Sequence, residues 1–184
     1  AGLIRIYIDV RDVNRQGLIK PDSAPGYAYY TILKQGSEFD LKLNEFVASP
    51  SGDLNGDGSP DAGDEWIELY NNGTGIVNLY GLYLDDVDGG SSADMIWKSY
   101  LLWPNEFIFF YAADLDTSFG LNNAGDTVRL LAADESTVID EFTYGTAGSN
   151  VSWGRVVDGW DTDSDTDWQE YGASATTPGG PNNG

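Results

Sequence analysis

The sequence predicts an all-β chain folded as a sandwich or barrel. Short runs rich in Val, Ile, Tyr and Phe recur along its length. Clusters of Gly, Asn and Asp separate them, and no long amphipathic helix is visible. At 184 residues, 41% hydrophobic and 13% aromatic, the chain has enough apolar mass for one domain of ordinary size plus an appendage.

The first run, "LIRIYIDV" (3–10), alternates, with Ile4, Ile6, Ile8 and Val10 on one side and Arg5, Tyr7 and Asp9 on the other. "PDSAPG" (21–26) is a turn or loop, and "YAYYTIL" (27–33) is a second β-branched and aromatic run. Residues 1–38 therefore read as an N-terminal β extension or the remnant of a preceding domain. From Leu41 the strands follow as "LKLNEFVA", "EWIELYN", "IVNLYGLYL", "DMIWKSY", "FIFFYAA", "DTVRLLAA" and "TVIDEFTYG". "DDVDGG" (85–90) between two of them has the composition of a hairpin tip. The main domain is expected over 39–182. "GASATTPGGPNNG" (172–184) has the low complexity of a fraying end, with 183–184 as the tail.

Composition excludes several chemistries. The chain has no cysteine, so disulfides and thiolate metal sites are ruled out, and no histidine, which removes the usual general base, the Ser-His and Cys-His nucleophile pairs and imidazole ligands. A formal charge of −21 against nine Lys and Arg disfavours nucleic acid and anionic membrane as direct partners. The same charge suits a bound divalent cation, a high-salt habitat or plain solubility. Insertion into a membrane is not expected, because no apolar stretch is long enough to cross a bilayer.

One loop has a ligand-like pattern. In "DLNGDGSPDAGD", Asp53, Asn55 and Asp57 stand at alternate positions before Gly58, with Asp61 and Asp64 beyond. This is the D-x-N-x-D-G spacing of an EF-hand-type loop. Alternate side chains in a tight loop turn their oxygens toward one point, and glycine at position 58 permits the sharp bend. Ser59 would add its backbone carbonyl, Asp61 would bind directly or through water, and Asp64 would close the shell around Ca2+. Pro60 and the strand-like flanks argue against a true EF-hand, so the expectation is an isolated calcium loop joining two strands. The competing reading is a solvated acidic turn.

"DTDSDTD" alternates Asp161, Asp163, Asp165 and Asp167 but lacks the central glycine; it is a second ion site or a solvated acidic loop. The six tryptophans, Trp66, Trp97, Trp103, Trp153, Trp160 and Trp168, either fill the core or form a sugar-stacking platform. Trp160 and Trp168 flank acidic residues and are expected to be partly exposed. No Gly-Lys-Ser/Thr phosphate loop or Gly-x-Ser-x-Gly elbow is present.

Several of these segments, in order, resemble the lamin-tail domain family. "LKLNEFVASP" resembles its opening "INEV" strand, and "DEWIELYNNGTGIVNLYGLYLDD" is similar to its "EWIEL-NN" block followed by "V-L-GW-L-D". "LWPNEFIFFYAAD" resembles "PGEFLVL", and "GLNNAGDTVRLLAADESTVIDEFTYG" resembles "LSNSGDTVTLLD-DG-VVDSVSYG". "SWGRVVDG" and "TPGGPN" match the closing motifs, and Tyr83 stands where the family usually has Trp. The acidic insertion is similar to that of prokaryotic members. The resemblance implies an immunoglobulin-like β-sandwich without a catalytic centre, used as an accessory module of secreted or surface proteins. The expectation is an extracellular, calcium-stabilised, non-enzymatic prokaryotic module for attachment, spacing or interaction. Its partners would be other domains of the same chain, surface proteins or glycans, and a calcium-assisted carbohydrate-binding module is the alternative.

Overall fold

The structure, a computed structural model, describes residues 39–86, 93–115 and 119–182. The β extension expected over 1–38, residues 87–90 of the hairpin tip expected over 85–90, and the tail at 183–184 lie outside the described residues.

Eleven strands are found among the described residues: β1 (Leu41–Val47), β2 (Trp66–Asn71), β3 (Val77–Asn78), β4 (Tyr83–Asp85), β5 (Asp94–Met95), β6 (Leu101–Leu102), β7 (Phe107–Tyr111), β8 (Asp126–Leu131), β9 (Val138–Tyr144), β10 (Ser152–Arg155) and β11 (Trp168–Tyr171). They form an antiparallel five-stranded sheet, β11-β10-β1-β2-β7, a four-stranded sheet, β5-β4-β8-β9, and the ribbon β3-β6. The expected all-β sandwich is observed, with its core between the two larger sheets. The run "IVNLYGLYL" is not one strand. Gly81, at φ 83°, turns the chain between β3 and β4.

Strand β1 shows how sequence parity sets the sheet. Leu41 and Leu43 face the core, and so do Phe46 and Ala48. Inward positions thus change from odd to even, which a regular strand of period two cannot do. A β-bulge between Leu43 and Glu45 supplies the extra residue, Asn44, and returns Phe46 to the core. Phe46 then packs at 5.0 Å from Tyr144 and 5.9 Å from Trp168, and Phe142 stacks on Trp168 with ring centroids 4.4 Å apart. Trp168 is therefore a buried core residue, against the expectation of partial exposure. It opens β11 directly opposite Arg155 and sits beneath a layer of aromatic rings.

Arg155 is fully buried and joins the sheets. Its guanidinium donates from Nη2 to Asp140 of β9 (2.8 Å), from Nε to the Leu43 carbonyl of β1 (2.6 Å) and from Nη1 to the Trp160 carbonyl (2.7 Å). It also lies 4.8 Å from the centre of the Trp168 ring. A buried cation is tolerated here because each face of its fork meets an acceptor.

The five-stranded sheet is covered on its outer face as well. All six residues of β2 are buried, including Trp66, Glu68 and Tyr70, which point away from the core formed with Ile67 and Leu69. The covering comes from β7 aromatics, the 156–160 turn and the closing segment. Residues 172–182 do not fray: Thr177, Gly179 and Asn182 hydrogen-bond to Glu45, Glu68, Asn44, Asp158 and the Arg155 carbonyl.

Candidate functional site

The acidic loop leaves β1 and returns to β2 at one end of the sandwich. Two glycines with positive φ, Gly56 at 79° and Gly58 at 99°, bend it, as the spacing requires. The loop carboxylates cap its own backbone. Asp53 accepts from the amides of Gly56 (2.7 Å) and Gly58 (2.9 Å), Asn55 from Asp57 (2.9 Å), Asp57 from Ser59 (2.8 Å) and Asp61 from Gly63 (2.7 Å). These are Asx-type turns that fix the loop path without regular secondary structure. The Tyr111 hydroxyl of β7 donates to the Leu54 carbonyl at 2.7 Å and pins the loop to the sheet.

Asp64 differs from its neighbours. It is buried, and its two oxygens accept from Leu54 (2.7 Å), Asn55 (2.9 Å) and Asp61 (2.8 Å). Burial would raise its pKa, but the three backbone donors together hold it below the ordinary 3.8. Asp61 and Asp64 also bracket the 3-10 turn Ala62–Asp64 as a capping box. The structure thus sorts the expected ligands by role. Asp53, Asp57, Ser59 and Asp61 are exposed and Asn55 is half-buried, while Asp64 is the buried anchor of the loop.

As a donor set the loop is all oxygen and anionic, which matches the preference of calcium for hard ligands. Each carboxylate oxygen has two lone pairs, so an amide does not exhaust it. Among the described residues, no three acidic side chains are drawn together closely enough to form a ready metal cluster. Asp53, Asp57 and Asp61 are the exposed carboxylates of the set.

The second acidic run has a different geometry. Asp161 is drawn away to Lys42 (2.7 Å) and Arg155 (3.3 Å), and Asp163 donates its amide back to Asp161. Asp167 is buried and accepts from the Thr162 amide (2.6 Å), the Thr162 hydroxyl (2.9 Å) and the Ser164 amide (3.3 Å). Asp165 is exposed in the 3-10 turn Asp165–Asp167. The alternation of four aspartates here coincides with an ion pair at Asp161 and a capped turn at Asp167.

The tryptophans divide similarly. Trp66 and Trp168 are buried, Trp97 is 43% exposed with Lys98 over its face, and Trp160 is 61% exposed beside the exposed Val156 and Val157. Sequence reasoning missed the buried glutamates. Glu65 accepts from the Leu121 amide at 2.7 Å, and burial pushes its pKa up to about 7. Glu68 is pushed to about 8, first by burial and then by the nearby Glu45 and Asp158, despite accepting from Asn44 and Gly179. For Glu68 the available signal was its outward parity between Ile67 and Leu69 of β2; Glu65 precedes that strand, and the sequence carried no signal for its burial.

A family model described as Lamin Tail Domain matches residues 34–146, more than half of the chain. No curated protein matches it.

Proposed function

Since the chain belongs to the lamin tail domain family, we propose that it is a non-catalytic, extracellular interaction module of a prokaryotic surface or secreted protein, with its acidic loop stabilised by calcium. Support comes from the loop itself. It is bent by two left-handed glycines, pinned by Tyr111 and anchored by the caged Asp64, while oxygen-bearing side chains at alternate positions remain at the surface. The residues that would hold the ion are Asp53, Asn55, Asp57 and Asp61, with the Ser59 carbonyl and Asp64 completing the set. Calcium supplies positive charge that relieves repulsion among four aspartates in twelve residues. Its work is structural: it favours one loop conformation and thereby one shape for that end of the sandwich.

Extracellular modules of this kind bind in the ~10⁻⁴–10⁻³ M range, so the loop would be filled outside a cell and empty in the cytosol. Isothermal titration of the full chain with CaCl₂ is expected to give one site in this range. Asp57→Ala is expected to weaken it by more than tenfold while the fold is kept. Titration without heat beyond dilution at millimolar calcium would refute the reading. The partners are other domains of the same chain or surface proteins, consistent with a charge of −21 that repels nucleic acid.

A second reading, a calcium-assisted carbohydrate-binding module, draws on the exposed indole of Trp160. Glycan-array binding lost on Trp160→Ala would favour it. Trp168→Ala is unsuitable for this purpose, because that ring belongs to the core.

A further inference from the structure

The turn that follows β10 carries the most exposed large apolar side chains among the described residues. Trp160 is 61% exposed and Val157 59%, with Val156 beside them at 46%. The backbone beneath these side chains is fixed. The Trp160 amide donates to the Val157 carbonyl at 3.0 Å and closes the turn, and the Val156 amide donates to the Asp167 carbonyl at 2.8 Å. The Gly159 amide donates to Asn44 at 3.1 Å, and the Trp160 carbonyl accepts from the buried Arg155 at 2.7 Å. Gly159, at φ 66°, lies against Tyr70, where a Cβ would stand 2.6 Å from the ring. The turn is therefore held from below while its apolar side chains are left to solvent, the reverse of what burial alone would favour.

The charge around it is one-sided. Residues 156–170 hold six carboxylates and no Lys or Arg. Two cations reach the region from other strands and are engaged there, Lys42 by Asp40 and Asp161 and Arg155 by Asp140 and Asp161. Beyond Asp161, which accepts the Asp163 amide at 3.1 Å, Asp163 and Asp165 are exposed. Apolar surface and negative charge thus stand side by side. The side chains that answer both are Lys and Arg, each an aliphatic stem with a cationic head. The stem covers the valines, the head lies over the indole face, and the carboxylates complete the match. A neutral sugar would use the ring and leave the valines and the charge without a role.

We propose that the 156–160 turn is a docking site for a Lys- or Arg-bearing segment of a partner protein, with Trp160 as its anchor and Asp163 and Asp165 as its acidic rim. The proposal rests on the reading of the chain as an interaction module, whose partner chemistry it names, and makes no use of the calcium loop. Because the turn is ordered before a partner arrives, binding does not have to order it.

The probe is a fluorescein-labelled synthetic peptide, Gly-Leu-Arg-Gly-Leu-Arg-Gly, titrated into the full chain in EDTA and followed by anisotropy. Trp160→Ala leaves the net charge unchanged and is expected to weaken binding by at least about tenfold. Asp163→Asn/Asp165→Asn is expected to weaken it by about threefold or more. Asp134→Asn/Glu135→Gln removes the same charge from the exposed turn between β8 and β9 and is expected to weaken it by less than about twofold. The peptide with Glu in place of Arg is expected not to bind. Should Trp160→Ala lose its cooperative unfolding transition, Val157→Ser carries the same comparison. The proposal is overturned by absence of peptide binding to the unaltered chain, by binding unchanged in Trp160→Ala, or by equal losses from the two neutralised pairs. Glycan binding that needs Trp160 while the peptide stays unbound also overturns it and assigns the ring to a sugar. Calcium titration tests the parent reading separately, so the two can fail independently.

Discussion

Asp64 and Asp167 have the same job at two places. Each stands third in a 3-10 turn, is buried, and accepts backbone amides from the loop that precedes an aromatic strand. Asp64→Ala removes a cap and strands amide donors, so it is expected to cost about 1–2 kcal/mol in urea unfolding. The buried carboxylates also fix the response to pH. For Glu65 and Glu68, burial raises the folded pKa from 4.5 to about 7 and about 8, so the folded state binds more protons than the unfolded state between those values. Their contribution is complete below 4.5 and is lost as pH rises through 7 and 8. Asp64 and Asp167 work oppositely: their folded pKa values lie below 3.8, and their contribution is lost in stronger acid. Urea midpoints are thus expected to be higher near pH 5 than at pH 9. Glu68→Gln should remove part of that decline, and a flat profile across this window would contradict the assignment.

At the scale of elements, the links between β1, β9 and β10 matter most. Arg155 reaches Asp140 and the Leu43 carbonyl, and Asp140 in turn accepts from the Leu43 amide at 2.8 Å. Arg155→Met leaves a buried carboxylate with its main partner gone and is expected to cost about 3–5 kcal/mol, read as a fall in the unfolding midpoint. Gly154→Ala is expected to cost about 1–3 kcal/mol by overpacking against Tyr171 and Asn182. Strands with alternating or continuous apolar runs were legible in the sequence, β1, β2, β7, β8 and β9 among them. Strands β10 and β11 were not, because "SWGR" and "WQEY" are short, polar and held by Arg155, Glu45 and Trp168 instead of their own pattern. The closing segment misled for the opposite reason. Its Gly, Pro and Asn content reads as fraying, whereas its order comes from acceptors on residues more than a hundred positions away.

At the scale of the molecule, one core binds the two larger sheets among the described residues, and charge is the chain's main liability. At −21, self-repulsion works against the compact state, and the loop at one end gathers aspartates that a cation would offset. The loop's bend at Gly58 was legible from spacing alone, whereas the second left-handed glycine, Gly56, was not. The caging of Asp64 was not, because it depends on amides that only the folded loop brings together. Calcium that binds the folded loop and not the unfolded chain stabilises the domain by about 2.7 kcal/mol at a hundredfold excess over Kd. For a domain of this size that corresponds to a rise in Tm of roughly 5–11 °C. Thermal unfolding of the full chain in calcium and in EDTA is the most direct measurement: the account requires that rise with calcium and its reversal on chelation, and a Tm unchanged by both would contradict it.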